Sequence, residues 1–518
     1  MDRKLIFALL MTTIVMGVFN YMTYRKEAKQ QAVPEAIQAG QSYKVPSKAD
    51  LMRPLNYEID FIDKKVTKQE EIESVETDFY KIDFTNYGGN ISRIAFKKRL
   101  GKGGIPLQSV KPKDFFNREE SCFLLALDEK TPYFYKFDSK EDLGDRVNII
   151  YEAETSNFAI KKIYSIFRGS YKINLNLEFN PKGRGTIHPR IFLPAPFISE
   201  LSEDLQNGFV FNKQSQKIEA SLSVVQDNAW LIPEVFGAQD KYFAHALVKD
   251  DHGFAIRGYF KKDSTGKYIS IFEGPEVLDK KSFTLSFYIG PKDIADMAAV
   301  DGRLEDLLNF GWLSWLCKLL LKLLEFVYKF IGNFGLAIII LTVLIKLIFL
   351  PLSIKGTNVM EQNQKLQPQV TRIKKKFAHD VQLQQQELMR FYKEQKISPV
   401  APVFGCLPLL IDVVIMIGLY RVLGSYMDLY QAPFGLWITD LSSKDPFYVL
   451  PILMGISMFW QQKLSPVGDE RTKIMMSFLP LVMTGVFASM PSGVVLYWLI
   501  KNILTVGETY LRKSLKKA

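Results

Sequence analysis

An apolar stretch of 18 residues, Gly335 to Leu352, limits what this chain can fold into, because it is long enough to cross a bilayer. About 17 to 25 apolar residues suffice for a helix that spans the hydrocarbon core. Lys346 is the one charged residue in the stretch. An ammonium group at the centre of a membrane helix costs roughly 2.5 to 3.5 kcal/mol on insertion scales, so such groups usually reach water or line a polar cavity. Lys346 is therefore the first candidate functional residue.

Length and charge indicate a multi-domain membrane protein. Roughly the first 300 of the 518 residues are polar and the rest are apolar, so more than one domain is expected. The net charge is +11, but the basic residues cluster beside apolar spans, where cytoplasmic retention explains them. We therefore predict no specific nucleic-acid readout. The cysteines, Cys122, Cys317 and Cys406, lie in separate regions and predict no disulfide framework.

The N-terminal 26 residues predict a membrane anchor. A short basic start precedes an apolar run from Leu5 to Tyr24, which is longer than a usual signal core and does not end in a small-x-small cleavage site. An uncleaved anchor is favoured over a cleaved signal peptide, and either one sends the following residues out of the cytoplasm. Residues 27–66 are rich in Ala, Gln, Pro and charge without a period, which is typical of a flexible linker.

Residues 67–303 predict an antiparallel β-sandwich. Apolar and polar residues alternate at Tyr80 to Phe84, and a turn sequence, Asn86 to Asn90, precedes the next alternating run. The same alternation recurs at Ile173 to Phe179 and at Phe283 to Ile289. Many half-buried strands without helical patterns between them favour a sandwich over an α/β fold.

The predicted sandwich carries no motif for catalysis or metal binding. Gly266 and Lys267 are followed by Tyr268, so they do not form a phosphate-binding loop, and no nucleophile-elbow serine occurs. The histidines have neither the spacing of a helical metal pair nor cysteine partners: His188, His245, His252 and His379. We therefore expect no catalytic residue, metal or cofactor.

Residues 304–331 predict an amphipathic helix that lies in the membrane interface. Lys318, Lys322, Glu325 and Lys329 fall on one stripe of a helix, and Leu, Phe and Trp residues occupy the rest. A spanning helix is the alternative. It would place the following Lys-rich loop outside, against the positive-inside bias.

That loop, residues 353–399, predicts a cytoplasmic helical hairpin. It is rich in Lys and Arg, and apolar residues recur at helical spacing on either side of His379 and Asp380. The hairpin serves either as an orientation signal or as a docking surface for a nascent chain, a ribosome or another membrane partner.

Four further apolar segments predict the remaining spans. Their connectors alternate in charge so that both termini lie in the cytoplasm, and a basic tail follows at 512–518. The result is about six spans in total. The four segments are 404–424, 447–460, 474–489 and 493–509.

Three ionisable residues are predicted to share one depth. Counted inward at about 1.5 Å per residue, Lys346 lies roughly 10 Å deep, Asp412 roughly 12 Å and Lys501 about 13 Å. Thr342 and Thr484 lie somewhat deeper. Such residues do not tolerate lipid, so we predict a polar recess that opens to the cytoplasm.

The role of these charges stays open at this point. Asp412 forms either a static ion pair with one of the two lysines or part of a substrate groove. Two lysines against one aspartate predict a net positive recess, which suits an acidic or polar segment.

Several stretches of the chain resemble the YidC family of membrane protein insertases, in the Gram-negative form with a large periplasmic domain. Two stretches, VETDFYKIDFTNYGGNISRI and QDKYFAHAL, are similar to that domain. The membrane half is similar at GNFGLAIIILTVLIKLIFLPL, KLQPQ, FGCLPLL, QAPFGLWITDLSSKDPFYVLPILMGISMF and PSGVVLYW, in this order.

The resemblance implies a periplasmic supersandwich, a five-helix core within residues 332–511 and a hydrophilic groove in the inner leaflet of the bacterial inner membrane. Family members accept hydrophobic segments of nascent proteins, alone or with the Sec translocon, and release them into lipid without hydrolysing nucleotide. The implied partners are nascent membrane proteins, membrane lipids, the Sec translocon and the ribosome, and no enzymatic activity is implied.

The resemblance also assigns roles to single residues. Lys346 stands where the family usually has arginine, and Thr342 matches a threonine one turn earlier. Tyr497 and Trp498 correspond to aromatic residues that form a slide for the substrate. Asp412 stands where many relatives have glutamine. A transporter or channel with an intramembrane polar site is the alternative, although the outer halves of these helices lack the matching charges that a pathway through both leaflets needs.

Overall fold

The computed structural model describes most of the chain after residue 52. The described ranges are 53–59, 70–100, 106–110, 121–127, 131–196, 206–222, 228–263, 266–308, 313–395, 401–464 and 470–515. The predicted anchor at 1–26 lies outside the described residues, as do nearly all of the predicted linker at 27–66 and the last three residues of the predicted tail.

The first half of the described chain is built from antiparallel strands, as predicted. The strands are β1 Ile72–Glu76, β2 Tyr80–Thr85, β3 Asn90–Leu100, β4 Pro106–Val110, β5 Leu124–Ala126, β6 Lys136–Asp142, β7 Arg146–Glu154, β8 Phe158–Phe167, β9 Lys172–Pro181, β10 Arg190–Pro194, β11 Asn207–Asn212, β12 Lys217–Leu222, β13 Ala229–Leu231, β14 Phe236–Gln239, β15 Phe243–Asp250, β16 Arg257–Lys262, β17 Tyr268–Glu273 and β18 Lys281–Pro291.

These strands form three sheets. One has the order β1-β2-β3-β4, a second β13-β16-β17-β10-β5, and the largest β12-β11-β14-β15-β18-β9-β8-β7-β6. In the largest sheet, β9 pairs with β8 and β18 in regular antiparallel register. The predicted sandwich class is therefore confirmed.

The alternation read from the sequence corresponds to burial in the strands. Ile173, Leu175 and Leu177 of β9 are fully buried, while the residues between them are half-buried. The predicted turn between β2 and β3 is also present, with Gly88 and Gly89 at φ +67° and +51°, where glycine is favoured. The period-two pattern therefore predicted the strands, and the turn sequence predicted the turn.

The second half of the described chain is helical. The helices are α1 Ile294–Val300, α2 Ser314–Ile331, α3 Phe334–Lys376, α4 Val381–Glu394, α5 Ala401–Ser425, α6 Val449–Leu464, α7 Glu470–Phe487 and α8 Ser492–Leu515, with a 3₁₀ helix at Gly302–Leu308 between α1 and α2. Each of the four apolar segments predicted after the hairpin coincides with one of α5 to α8.

The predicted amphipathic helix is present, but its predicted start at residue 304 is wrong. The α-helix begins at Ser314, and the predicted first turn falls instead in a separate 3₁₀ helix, Gly302–Leu308. One face of α2 is buried, including Leu320 and Leu324, while Trp315 and Phe330 on the other side are exposed. Its place in the membrane interface stays a prediction.

The predicted hairpin is present, but its first arm is not a separate helix. α3 runs for 43 residues through the predicted boundary at Leu352 and ends at Lys376. The Asp380 side chain then accepts hydrogen bonds from the backbone N–H groups of Gln382 and Leu383 and begins α4. The membrane stretch and the first arm of the hairpin are therefore one helix.

The helices pack around α3 and α8. α3 contacts α2, α5 and α8, and α6 contacts α7 and α8. Among the described residues, Phe334–Gln362 is long and apolar enough to cross a membrane, while the apolar part of α7, Ser477–Phe487, is shorter. The five-helix membrane core and the number of spans stay predictions.

The sandwich contacts the connector between α5 and α6. The rings of Tyr242 and Tyr430 lie 5.5 Å apart, and the Tyr426 hydroxyl donates to Asp293, the N-cap of α1, at 3.5 Å. These contacts link the turn before β15 to the end of α5.

Candidate functional site

A cavity lies between α3, α5 and α8, and four of the five polar candidates from the sequence line it. Its lining residues are Thr342, Ile345, Lys346, Phe349, Leu352, Ser353, Pro408, Ile411, Asp412, Tyr497 and Lys501. The structure therefore brings these four residues together, while their depth in a membrane stays a prediction.

Asp412 pairs with Lys501. Their Oδ2 and Nζ atoms are 2.8 Å apart, and only 7% of the Lys501 side chain is exposed. Removal of either partner of a buried ion pair destabilises the protein, because the other charge is left buried without a counter-charge. The sequence left open whether Asp412 pairs with Lys346 or with Lys501, and in the structure its partner is Lys501 on α8.

Lys346 is paired with a residue that sequence reasoning missed. Its Nζ lies 2.8 Å from Oε2 of Glu508 and 3.1 Å from the Thr505 hydroxyl, both on α8. The Ser353 hydroxyl, two turns after Lys346 on α3, donates to both Glu508 oxygens at 3.1 and 3.2 Å. A four-residue polar cluster therefore joins α3 to α8.

The prediction of a net positive recess is wrong for these side chains. Glu508 adds a second carboxylate, so two lysines face two carboxylates and their formal charges cancel. A signal for Glu508 was present in the sequence, because Lys501, Thr505 and Glu508 follow the i, i+4, i+7 spacing of one helix face.

Thr342 and Tyr497 are the most deeply buried polar residues that line the cavity. Thr342 is buried, and its hydroxyl donates to the Ile338 carbonyl of its own helix at 2.6 Å. Tyr497 is also buried, and its hydroxyl has no hydrogen-bond partner among the described residues. A buried hydroxyl without a partner is costly, so this wall offers a polar atom that a ligand can satisfy.

Thr484 and Trp498 do not line the cavity. The Thr484 hydroxyl donates to the Pro480 carbonyl at 2.8 Å and packs against Gly455 of α6. The Trp498 ring packs against Phe487 at 5.5 Å, and Nζ of Lys501 lies 5.0 Å from its centre. Trp498 therefore contacts Lys501, one partner of the ion pair that lines the cavity.

The chemistry of the cavity suits binding more than bond making. Its charged groups are used in ion pairs, and its remaining polar atoms are hydroxyls. Within the described ranges, no group of three or more His, Cys, Asp or Glu residues is placed to hold a metal ion.

The fold and the cavity define a class of protein. A β-sandwich followed by long apolar helices with paired charges between them is typical of a membrane protein with a domain outside the bilayer. Residues 73–323 match the family model described as the YidC periplasmic domain, and residues 326–518 match the model described as a 60 kDa inner membrane protein. The chain belongs to the YidC family of membrane protein insertases.

Individual relatives agree along the whole chain. Membrane protein insertase YidC of Geotalea daltonii is 31% identical over 99% of this chain and 100% of the relative. The protein of the same name from Geobacter metallireducens is 32% identical over 87% of each. A crystal structure described as an active YidC insertase with its first transmembrane domain resolved is 19% identical, covers 87% of this chain and 95% of its own, and has a TM-score of 0.37.

Proposed function

We propose that this chain inserts hydrophobic segments of nascent proteins into the bacterial inner membrane through the cavity between α3, α5 and α8. The observation that carries the proposal is a cavity with two ion pairs enclosed by apolar helices. Such charges are costly in a membrane and are retained where they serve a polar guest. The family of the chain and the names of its relatives support the same function.

In the proposed mechanism, the cavity shortens the distance that the polar end of a client must cross through the hydrocarbon core of the bilayer. The polar end of a client enters the cavity near Lys346 and Lys501, where hydroxyl and charged groups replace part of its water shell. Because the cavity occupies the cytoplasmic part of the helices, the polar end crosses less hydrocarbon than it would in plain lipid. No bond is made or broken, and no nucleotide or metal takes part.

The apolar part of the client leaves sideways. Tyr497 on the cavity wall and Trp498 beside it are both buried, so a client helix slides along this aromatic surface only when the surrounding helices separate. Exposed apolar side chains of α3, such as Leu347 and Ile348, continue that surface. The client therefore exchanges a polar environment for lipid without passing through water.

The orientation and partners follow from charge. The basic end of α3, Lys374 to Lys376, and the basic end of α8 lie on the cytoplasmic side, and the sandwich lies in the periplasm. The α3–α4 hairpin offers its basic surface to the ribosome or the nascent chain. The Sec translocon and membrane lipids are the other proposed partners, and both termini are cytoplasmic.

A transporter or channel is the other class that fits an intramembrane polar cavity. The lining residues of this cavity come from the cytoplasmic part of α3 and its neighbours, without matching charges on the outer part. A pathway through both leaflets would need such charges. The insertase is therefore the better-supported function.

The test is reconstitution of the pure protein in lipid vesicles with a single-span client. We expect the wild-type protein to insert the client above the level seen with empty vesicles. We also expect Lys346→Ala to reduce insertion of clients with acidic translocated tails about fivefold more than insertion of clients with neutral tails. Protease protection of the translocated tail measures both. Equal loss for acidic and neutral tails would contradict the role of Lys346, and no insertion by the wild type would contradict the function.

A further inference from the structure

Glu508 already pairs with Lys346, the lysine that we propose an acidic client binds. The ammonium group of Lys346 is held by Glu508 at 2.8 Å and by the Thr505 hydroxyl at 3.1 Å. An ammonium group has three donors, so two of them are already used by α8. A client carboxylate that enters the cavity therefore meets a lysine with a carboxylate already bound.

The second lysine of the cavity is less accessible. Lys501 is 7% exposed and bound to Asp412, whereas the Lys346 side chain is 15% exposed. A client carboxylate thus exchanges more readily at Lys346. That exchange requires a second place for Glu508, because a displaced carboxylate in this setting needs new donors.

Arg512 provides that second place. It follows Glu508 by one helical turn on α8, at the i+4 spacing at which side chains meet. Its Nη2 lies 3.5 Å from Glu361, but its Nε is buried and has no hydrogen-bond partner among the described residues. A buried N–H without an acceptor is costly, so Arg512 has an available donor for a carboxylate that leaves Lys346.

We infer that Glu508 is a displaceable carboxylate, which competes with the acidic residues of a client for Lys346 and moves toward Arg512 when a client binds. The inference rests on the proposed insertase function and adds a residue that determines the preference for client charge. Ser353 stabilises the resting position, because its hydroxyl donates to Glu508.

The test uses two clients that differ by one Asp-to-Asn change in the translocated tail. The readout is the ratio of acidic to neutral client inserted into vesicles by the full-length protein. Glu508→Gln removes the competitor, and we expect it to raise this ratio about fivefold. Arg512→Lys keeps the positive charge beside Glu361 but removes the Nε donor, and we expect it to lower the ratio. Glu152→Gln, which changes a sandwich carboxylate that also lies 2.8 Å from a lysine, Lys161, is the matched control and should leave the ratio unchanged.

Opposite shifts in the two variants support the inference, and an unchanged ratio in Glu508→Gln or a shift of both variants in one direction overturns it. If Glu508→Gln inserts neither client, Ser353→Ala carries the test, because it weakens the hold on Glu508 without removing a charge. We then expect a smaller rise, and no rise overturns the inference. The proposed function fails separately, when the wild type inserts neither client.

Discussion

At the residue scale, the cavity shows what a depth count can and cannot predict. Lys346, Asp412 and Lys501 were found by counting along each helix, because one rise per residue applies to every helix. Their partners were not determined, because pairing depends on how each helix is rotated about its axis. Glu508 was missed because it lies nearer the cytoplasmic end, where a carboxylate needs no special explanation.

Asp412→Asn should destabilise the protein more than its surface exposure suggests. The change leaves Lys501 buried without a counter-charge, at a cost of about 3 to 5 kcal/mol. Thermal unfolding of the purified protein in detergent measures the loss. The double variant Asp412→Leu with Lys501→Met should recover most of it, since well-packed apolar residues often replace a buried pair without loss. A double variant as unstable as Asp412→Asn would refute this account.

His245 should make the sandwich less stable in acid. Burial lowers the pKa of His245 to about 4, although its Nδ1 lies 2.7 Å from the Pro194 carbonyl oxygen. The unfolded chain binds the proton at a pKa of about 6.5, so stability falls as pH drops from 6.5 to 4, by up to about 3 kcal/mol. Amide hydrogen exchange of β15, corrected for the intrinsic rate, measures the change in the full-length protein.

The control for this pH dependence is His245→Gln, which keeps a side-chain donor but does not titrate. Burial also raises the pKa of Asp240 to about 6, which contributes stability that is lost as pH rises through 6. That opposing contribution is common to both proteins and cancels in the comparison. Equal loss of protection in the wild type and the variant would show that another group causes it.

At the element scale, helix existence was predictable and helix ends were not. The period-two runs predicted strands such as β9 because they follow burial in a sheet, and the apolar segments predicted α5 to α8 because long apolar runs are typical of helices that cross a membrane. α3 continues past Leu352 because helical spacing extends into the polar hairpin, so a change in polarity was mistaken for a change in structure. Thr484 is a second case in which polarity alone did not determine the structure. Its hydroxyl predicted a place in the groove, but the side chain lies in the contact between α6 and α7.

Gly455→Ala should loosen the packing of α6 on α7. A Cβ at this position would lie 2.1 Å from the Thr484 hydroxyl oxygen but 3.4 Å from the Thr484 Cβ. The overlap should cost about 1 to 3 kcal/mol in thermal unfolding. Adding Thr484→Ala removes the overlapping atom, so the double variant should be more stable than Gly455→Ala alone. If the double variant loses as much stability as the two single variants together, the added Cβ at residue 455 does not contact Thr484.

At the scale of the whole molecule, the sandwich and the helices meet through a few side chains. Tyr242 is buried and packs against Tyr430, and Asp293 accepts from the Tyr426 hydroxyl. The sequence predicted both halves separately, because each has its own pattern of burial. It did not predict their contact, because contacts between distant loops leave no period in the chain.

Tyr242→Ala should increase hydrogen exchange in the connector at residues 426–442. The change removes the aromatic contact with Tyr430, so that connector loses part of its support. Mass spectrometry of the full-length protein measures the exchange. Tyr133→Ala removes another aromatic contact within the sandwich and serves as the control. Equal exchange of the connector in both variants would show that Tyr242 does not hold it.

The length of α3 has a mechanical consequence. Thirty residues of one helix separate Lys346 from Lys376, which is about 45 Å of rod. Pro351 and Pro368 each interrupt the helical hydrogen bonds of this segment, and Pro351 lies between Lys346 and Ser353. A partner that binds and displaces the hairpin tip, far from the cavity, therefore bends α3 at Pro351. This bend would change the distance between Lys346 and Ser353, the two α3 residues that contact Glu508.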